Sequence, residues 1–337
     1  MWLWTCRPGF ALDLVEELRR AGSTPHGQDA RASLVRSDGR PPEWPVFARA
    51  GFPLAAETAA EPEAIAAALA AALDGIFAGA RPRAWLLQAW VPDADETNPL
   101  APRALALGER ATRVLAATRP ELDLCRVEEV CDPLRYGGVL GQVCLPAADR
   151  VLIGALAAQD APTLAAGGRA RSRMPRDAPS RAARKLVEAL DWIGRGPEPG
   201  ELAVDLGAAP GGWTAVLLER RARVVAVDPG PLAAHLRRRA NVRHVRGSAF
   251  DYAPEEPVDW LCCDMAHRPL EVAALLAKWG RRRWASALVA NIKLPMRKRV
   301  EFVRRICQIV AEGGWRDLRA RQLYHDREEF TLAAWRS

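Results

Sequence analysis

Lysine is scarce in this chain, which draws attention to the few lysines that it has. Only four of the 48 basic residues are lysines: Lys185, Lys278, Lys293 and Lys298. An arginine stays protonated in a protein, whereas a lysine loses its proton when its surroundings lower its pKa. The lysines are therefore candidates for proton transfer, although chance explains Lys278 and Lys298 more simply.

Two carboxylates accompany one of these lysines at predicted strand ends. Asp264 closes the apolar run DWLCCDM, Lys293 closes the next run, ALVANIK, and Glu329 opens the last one, EFTLAAWR. A lysine beside carboxylates at neighbouring strand ends suits general acid–base chemistry. A surface ion pair is the alternative for each residue taken alone.

A loop of small residues in the same half predicts a nucleotide site. DLGAAPGG, residues 205–212, follows the apolar run LAVDL, and ligands of parallel sheets bind beyond such strand ends. Gly207 does not begin a GxGxxG motif, and Pro210 has no N–H for a pyrophosphate. The loop thus favours S-adenosyl-L-methionine over a dinucleotide, with Asp228 as the acceptor for ribose hydroxyls. A tight turn with a capping aspartate is the alternative.

The second half of the chain has the pattern of a doubly wound α/β domain. Short β-branched runs alternate with helical stretches from residue 172 to 337, which predicts a mostly parallel, Rossmann-like sheet. The last two runs are joined only by HDRE, which predicts an antiparallel last strand. Ser180 is expected to cap the helix SRAARKLVEALDWIG.

The first half is predicted to be an α+β region in two parts. Residues 1–80 resemble a small mixed α/β subdomain, and residues 81–171 contain further short strands and helices, including WLLQAWVP and the helix after Asn98. A stretch rich in Gly, Pro and Arg at 161–179 indicates a linker, so we place the domain boundary near residue 172.

Composition separates the two halves and excludes several classes of protein. Residues 1–170 hold 17 basic and 21 acidic residues, a net of −4, whereas the remainder holds 31 and 20, a net of +11. The basic half suggests a polyanionic partner. Seven cysteines without a CxxC pair support neither a disulfide framework nor a zinc site, so no metal is expected. No apolar run is long enough for a membrane span, and the start does not resemble a signal peptide, so we expect a cytoplasmic protein that does not contact membranes.

These motifs together resemble those of a known family. CRPGF, DETN, APSRAARKL, VDLGAAPGGW, LCCDM, NIKLPMRKR and RQLYHDREE occur in the family's order over nearly the whole chain. The chain is similar to the bacterial ribose 2′-O-methyltransferases of FtsJ type, and among them to the THUMP-containing enzymes that methylate a cytidine ribose in large-subunit (23S) ribosomal RNA. The resemblance implies a Rossmann-like methyltransferase domain at 172–337, preceded by a THUMP-like RNA-binding region at 81–171.

The resemblance also implies roles for particular residues. The family's Lys-Asp-Lys-Glu tetrad falls on Lys185, Asp264, Lys293 and Glu329. The residues that would bind S-adenosyl-L-methionine are Ser180, Asp205, Gly207, Ala209, Pro210, Gly211, Gly212, Asp228, Ser248 and Asp264. Ser248 departs from the family, which has an acid there to meet the adenine; Ser248 can still form a hydrogen bond, or Asp251 takes over.

A ribose hydroxyl needs a base before it attacks a sulfonium methyl group, and the reaction needs no metal. Lys293 is the best candidate for that base: Lys185 would disfavour its charged form and Asp264 would favour it, with a balance that depends on distances.

We expect an enzyme that meets large-subunit rRNA before the subunit is fully assembled, with no obligate protein partner. Arginine-rich stretches at 169–176, 237–239, 281–284 and 297–299 would contact phosphates if they share the cofactor face. A nicotinamide oxidoreductase would need a GxGxxG loop, and a non-catalytic RNA-binding protein would have lost tetrad residues.

Overall fold

The computed structural model describes residues 1–29, 33–80 and 83–336. The chain divides between Ala170 and Arg171 into two compact units, unit 1 and unit 2. This division lies close to the boundary expected near residue 172.

Unit 1 contains an eight-stranded sheet whose order along the sheet is β2-β3-β1-β4-β8-β7-β5-β6. The strands are β1 (Trp2–Thr5), β2 (Pro25–Asp29), β3 (Leu34–Ser37), β4 (Ala50–Ala59), β5 (Trp85–Trp90), β6 (Arg126–Val127), β7 (Val139–Ala147) and β8 (Arg150–Ala157). The helices are α1 (Ala11–Arg20), α2 (Pro62–Phe77), α3 (Ala101–Thr118), α4 (Pro120–Asp123) and α5 (Asp132–Arg135).

The expected division of this region at residue 80 is not seen. β4 pairs with β8, and α2 packs in the same hydrophobic core as α3, with Leu69, Leu107 and Val143 among the buried residues. Residues on both sides of position 80 therefore share one core. Whether unit 1 includes a THUMP-like region remains a prediction.

Unit 2 has the predicted α/β architecture, with the sheet order β11-β10-β9-β12-β13-β15-β14. Its strands are β9 (Leu202–Leu206), β10 (Arg223–Val227), β11 (Val242–Val245), β12 (Val258–Cys263), β13 (Ala285–Lys293), β14 (Arg316–Arg321) and β15 (Glu329–Trp335). Its helices are α6 (Ala183–Ile193), α7 (Gly212–Glu219), α8 (Ala234–Arg237), α9 (Pro269–Arg281) and α10 (Arg299–Glu312).

The strands from β9 to β13 pair in parallel, because a crossover connection returns the chain to the same edge after each strand. The connections after β9, β10 and β12 contain a helix, whereas the one from β11 to β12 does not. β15 then pairs antiparallel with β13 on one side and with β14 on the other, which confirms the predicted antiparallel ending. This register places Glu329 directly opposite Lys293 and Thr331 opposite Asn291. Side chains two residues apart on a strand share a face, so both pairs project from the same side of the sheet.

The helix that carries Lys185 starts later than predicted. α6 begins at Ala183 with Ala182 in the cap position, and no side chain caps it. Ser180 is not the N-cap, because its Oγ lies against Gly212 instead. The carbonyl of Ala182 accepts a hydrogen bond from the indole of Trp213 at 3.1 Å, which ties the start of α6 to α7.

No helix in the described part of the chain combines the length and apolar character needed to cross a membrane. Across residues 1–29, 33–80 and 83–336, no group of three or more His, Cys, Asp and Glu side chains is arranged to hold a metal ion.

Candidate active site

The four predicted tetrad residues meet at the carboxyl edge of the unit 2 sheet, and Lys185 is the central one. Its Nζ lies 2.5 Å from Glu329 Oε2 and 3.3 Å from Asp264 Oδ1. Lys185 comes from α6, Asp264 from the end of β12 and Glu329 from the start of β15. Three elements that are distant in sequence therefore bring one ammonium between two carboxylates.

Lys293 joins this cluster from the end of β13 but is more open to solvent. Its Nζ lies 3.7 Å from Glu329 Oε1, and its side chain is 51% exposed, whereas that of Lys185 is 16% exposed. Glu329 thus contacts both lysines, one through each carboxylate oxygen. Lys293 is the member of the cluster that a large substrate reaches most easily.

The surroundings of Lys185 and Asp264 shift their proton affinities. Burial opposes the charged form of Lys185, but the charges of Asp264 and Glu329 outweigh it and raise the pKa of Lys185. Burial raises the pKa of Asp264 as well, and Lys185 partly offsets that rise. Lys185 is therefore held as a cation.

A buried amide and a buried carboxyl group stand behind Lys185, and the sequence analysis missed both. Asn291 Oδ1 accepts a hydrogen bond from Lys185 Nζ at 3.0 Å, and Asn291 Nδ2 donates to Asp326 Oδ1 at 2.7 Å. Asp326 also accepts bonds from the Leu323 N–H and the Thr331 hydroxyl, each at 3.0 Å. Asn291 precedes Lys293 by two positions, so the period of two along a strand was the signal for its facing the same site.

Glu188, a carboxylate on α6, holds the loop between β14 and β15. Glu188 accepts the backbone N–H groups of Tyr324 and His325, at 2.7 and 2.9 Å. Its Oε2 also lies 2.7 Å from His325 Nδ1. This loop leads into Glu329, so Glu188 helps to set the position of a tetrad residue.

The loop of small residues at 207–212, which we call the glycine loop, lies at the same edge of the sheet as the tetrad. Gly207 has a φ of +78°, and a Cβ there would lie 2.8 Å from Cγ of Met265, the residue after Asp264. Only glycine fits such a conformation and approach without strain. The peptide bond between Ala209 and Pro210 is cis, and Pro210 is exposed.

Asp205 is buried beneath this loop. Its Oδ2 accepts a 2.7 Å hydrogen bond from the Thr214 hydroxyl, whereas its Oδ1 has no hydrogen-bond partner among the described residues. Burial raises the pKa of Asp205 to about 7. An unpaired buried acceptor is costly, and a cationic ligand seated at the loop would offset that cost. The loop therefore fits S-adenosyl-L-methionine, which carries a sulfonium and an ammonium group.

Gly211 and Gly212 are also required by the local backbone and packing. Gly211 has a φ of +117°, and a side chain there would collide with Leu236 of α8. A Cβ on Gly212 would collide with Ser180 Oγ. Backbone conformation and packing therefore account for both glycines, whether or not a ligand approaches them.

Asp228 supports the loop at the end of β10. Its Oδ2 accepts the N–H of Ala209 at 3.0 Å, and its Oδ1 accepts the N–H of Gly230 at 2.7 Å. Each carboxylate oxygen has a second lone pair, so ribose hydroxyls still have acceptors here. Asp228 is suited to shape the loop and to receive a ribose together.

Ser248 lies in an exposed turn after β11. Its Oγ accepts the N–H of Phe250 at 3.2 Å, and its carbonyl accepts the N–H of Asp251 at 3.2 Å. Asp251 is exposed in the same turn. Both candidates for the adenine contact therefore lie together in one turn.

The arginine-rich stretches do not all share the edge that bears the tetrad. Residues 297–299 come shortly after Lys293, the last residue of β13, and Arg299 pairs with Glu328 at 3.1 Å. Residues 281–284 instead lie between α9 and the start of β13, at the opposite edge. The expected contacts with phosphates beside the cofactor therefore do not extend to residues 281–284.

The cluster places two lysines and two carboxylates beside a loop that suits a sulfonium cofactor. Such an arrangement can bind a hydroxyl group and hold it in line with a methyl donor.

Comparison with known proteins agrees with this chemistry. The family profile described as FtsJ-like methyltransferase matches residues 178–298. The chain is 38% identical to the "Ribosomal RNA large subunit methyltransferase M" of Alkalilimnicola ehrlichii, over 99% of this chain and 94% of that protein. It is 39% identical to the protein of the same name from Halorhodospira halophila, over 99% of this chain and 96% of the relative. A solved structure titled fibrillarin pre-rRNA processing protein, from Methanococcus jannaschii, is 14% identical, with a TM-score of 0.37 over 58% of this chain and 82% of that one. The extent and identity of the first two matches place this chain in the ribosomal RNA large subunit methyltransferase M family.

Proposed function

We propose that the chain methylates the 2′-hydroxyl of a cytidine ribose in 23S rRNA, with S-adenosyl-L-methionine as the methyl donor. The relatives' name supplies the large-subunit rRNA. The resemblance of the sequence motifs to those of the THUMP-containing FtsJ-type enzymes implies the ribose oxygen and the cytidine. The observation that carries the proposal is the convergence of Lys185, Asp264, Lys293 and Glu329 beside the glycine loop.

Lys293 acts as the general base in this proposal. Lys185 is held protonated by two carboxylates within hydrogen-bonding distance, which makes it a poor acceptor for a proton. Lys293 has a single carboxylate at 3.7 Å, and its side chain is half exposed, so its ammonium group can lose a proton to solvent before the reaction. The neutral amine then accepts the proton of the ribose hydroxyl at Nζ and passes it to solvent after the reaction.

The other three tetrad residues position the reacting groups and neutralise the charge that develops. When bound, S-adenosyl-L-methionine supplies a methyl group that is already electrophilic. Lys185 stabilises the negative charge that develops on the ribose oxygen, while Asp264 and Glu329 keep that ammonium in place. Glu329 also orients Lys293. The O–H bond breaks as the proton moves to the neutral amine of Lys293. The bound methyl donor would supply the methyl carbon to the oxygen, and its carbon–sulfur bond would break as the carbon–oxygen bond forms, which leaves a neutral thioether.

The proposed cofactor contacts come from the end of β9, the glycine loop, and the residues that follow β10 and β11. Asp205 offers its unpaired oxygen, Asp228 accepts from the ribose hydroxyls, and Ser248 or Asp251 meets the adenine. Gly207 permits the close approach of the loop to Met265. The remaining proposed contacts come from Ser180, Ala209, Pro210, Gly211, Gly212 and Asp264.

Unit 1 is proposed to select the RNA. The THUMP resemblance lies before residue 172, and the negative balance of that half favours selection by shape or by a local patch over bulk charge. The enzyme then acts in the cytoplasm on rRNA that is not yet fully assembled, without an obligate protein partner.

Mapping of ribose methylation on rRNA tests this function. Rescue of a single 2′-O-methylcytidine by the wild-type gene in a deletion strain is the expected result, and the Lys293→Arg gene should fail to rescue it. Nucleoside analysis separates base from ribose methylation. Methylation of a base, or of no rRNA nucleotide, would overturn the proposal.

A further inference from the structure

Four arginines surround one cavity at the edge of the unit 2 sheet that lies opposite the tetrad. The cavity volume is about 390 Å³, and its lining includes Arg281, Arg283, Arg316 and Arg336, with Glu312 and three glycines. Arg281 and Arg283 lie at the end of α9, Arg316 begins β14 and Arg336 follows β15. Four arginines and one carboxylate thus line the same concave site.

This cavity is remote from the proposed site of methylation. The N–H of Arg336 bonds to the carbonyl of Ser286, at the start of β13, whereas Lys293 ends the same strand. A strand advances about 3.3 Å per residue, so the nine residues of β13 separate the two places by about 25 Å. A single nucleotide cannot contact both.

The arginines have no structural partner that would explain their clustering. Within residues 1–29, 33–80 and 83–336, the side chains of these four arginines form neither an ion pair nor a hydrogen bond. Glu312 is itself bonded to Gln308 Nε2, at 3.0 Å. Burial and the nearby Arg283 lower the pKa of Arg336. Like charges held together without partners are unfavourable unless an anion joins them.

Capping of helix ends does not account for the cluster. α9 and α10 both end beside the cavity, and helix C-termini attract cations, but only weakly at exposed positions. Among the described residues, these guanidinium groups do not bond the free carbonyls there. The helix ends are instead packed by glycine, since a Cβ on Gly280 would collide with the carbonyl of Gly313.

Arg283 stands where the backbone favours glycine. Its φ is +57°, and it lies just after the end of α9. The N–H of Arg283 donates to the carbonyl of Gly280, and the N–H of Trp284 donates to the carbonyl of Trp279. This is the Schellman arrangement, in which glycine is the usual residue. The end of α10 follows that preference, with Gly314 at a φ of +88°. Arg283 therefore occupies this position at a cost in backbone strain, as Arg221 does after α7.

We infer that this cavity binds the phosphodiester backbone of the same rRNA, at a segment distant from the methylated nucleotide. Arginine guanidinium groups match phosphate oxygens in charge and in paired geometry. Backbone contacts of this kind fix register and orientation without reading sequence. The cavity thereby holds the RNA at a second place while the ribose enters the tetrad, an inference that rests on the proposed function for its choice of RNA.

The test compares three variants of the full chain for equilibrium binding to protein-free 23S rRNA over a range of salt concentrations. Arg281→Gln/Arg316→Gln should weaken binding about tenfold and reduce the slope of log affinity against log salt by about 1 for each phosphate that is no longer neutralised. Arg304→Gln/Arg305→Gln removes the same charge from exposed positions on α10 and should have a much smaller effect. Arg283→Gly should weaken binding and leave the melting temperature equal or higher, because glycine relieves the backbone. If the Arg283 side chain served to stabilise the fold, the Arg283→Gly variant would instead have a lower melting temperature than the wild type.

Two results would overturn the inference: equal binding losses in the double variant and its control, or unchanged binding in Arg283→Gly. Affinity for S-adenosyl-L-methionine, measured on each variant, establishes that unit 2 is intact. If the wild-type chain binds 23S rRNA but methylates none of it, the proposed function fails while the cavity remains an RNA site. If it methylates normally and the cavity variants bind as it does, only the inference fails.

Discussion

Asn291 donates its amide Nδ2–H to Asp326 Oδ1 over 2.7 Å, while its carbonyl oxygen accepts a hydrogen bond from Lys185. Asn291 is 2% exposed and Asp326 is fully buried, so neither is available to a substrate as large as RNA. A buried amide therefore links the tetrad to the loop that leads into β15. Lys185 is positioned from behind by a residue that takes no direct part in proton transfer.

Asn291→Ala should lower turnover on the order of tenfold to a hundredfold, because displacement of a catalytic group by about 1 Å has effects of that size. It should also destabilise the protein by about 1–3 kcal/mol, since a buried carboxyl group loses a donor. Single-turnover kinetics and urea unfolding measure the two effects. Thr331→Val serves as the control: it removes the bonds of the Thr331 hydroxyl to Asp326 and to Asn291 Nδ2 but leaves the bond between Lys185 and Asn291. Equal losses of turnover in the two variants would contradict a positioning role for Asn291.

Lys293→Arg should retain cofactor and RNA binding and lose methyl transfer, because arginine keeps the charge but cannot act as a base. Loss of a general base costs on the order of a hundredfold to ten-thousandfold in rate. Lys278→Arg makes the same change on α9, where the ammonium lies 3.5 Å from the carbonyl of Phe250, and should be neutral. Near-normal turnover of Lys293→Arg would make Lys293 an electrostatic residue and not the base.

Asp228→Ala should weaken S-adenosyl-L-methionine binding in titration calorimetry, because it removes the ribose acceptor and two bonds that hold the loop. Glu219→Gln, an exposed carboxylate on α7, serves as the control. Ser248→Ala and Asp251→Ala, measured beside it, identify the adenine contact by whichever lowers affinity. Tighter binding of NADH than of S-adenosyl-L-methionine by the wild-type chain would refute the cofactor assignment.

Asp205 should make the stability of unit 2 depend on pH. Burial raises its pKa from 3.8 to about 7, so between these values the folded chain holds a proton that the unfolded chain has released. Its contribution to stability therefore falls as pH rises from about 4 to about 7 and stays level above that. Urea unfolding at several pH values should show a smaller fall for Asp205→Asn, with Glu219→Gln following the wild type. Parallel curves for Asp205→Asn and the wild type would rule out the raised pKa.

Residues 171–337 alone should bind S-adenosyl-L-methionine with near-full affinity yet methylate 23S rRNA poorly. Unit 2 has its own core and contains every proposed cofactor and tetrad residue. Its net charge should still hold RNA without sequence preference, with an affinity that falls steeply as salt rises. Single-turnover methylation by fragment and full chain at matched RNA occupancy tests this. Equal rates at the same nucleotide would show that unit 1 does not select the substrate.

The sequence predicted the parts of unit 2 that follow from alternation. Strand ends of a parallel sheet share an edge, so Asp264 and Lys293 could be placed together from their positions in the chain. The antiparallel β15 followed from the short connection HDRE. Asn291 and Asp326 were missed because polar residues in a strand and a loop become a network only through contacts between positions 35 apart. Ser180 was misread as a cap because packing against Gly212 outweighs local capping preference.

The order of strands in unit 2 has a consequence for synthesis on the ribosome. β15 lies between β13 and β14, although it is synthesised after both. Glu188 on α6 bonds to His325, 137 positions later, so the contact between α6 and the loop that leads into β15 forms only after His325 has been synthesised. Until β15 emerges, β13 has an open edge and Lys185 lacks Glu329. The nascent chain can form the parallel part of the sheet and the glycine loop first, so competence to bind the cofactor precedes competence to transfer a methyl group. Translational arrest before Glu329 would leave a protein able to hold the methyl donor and unable to use it.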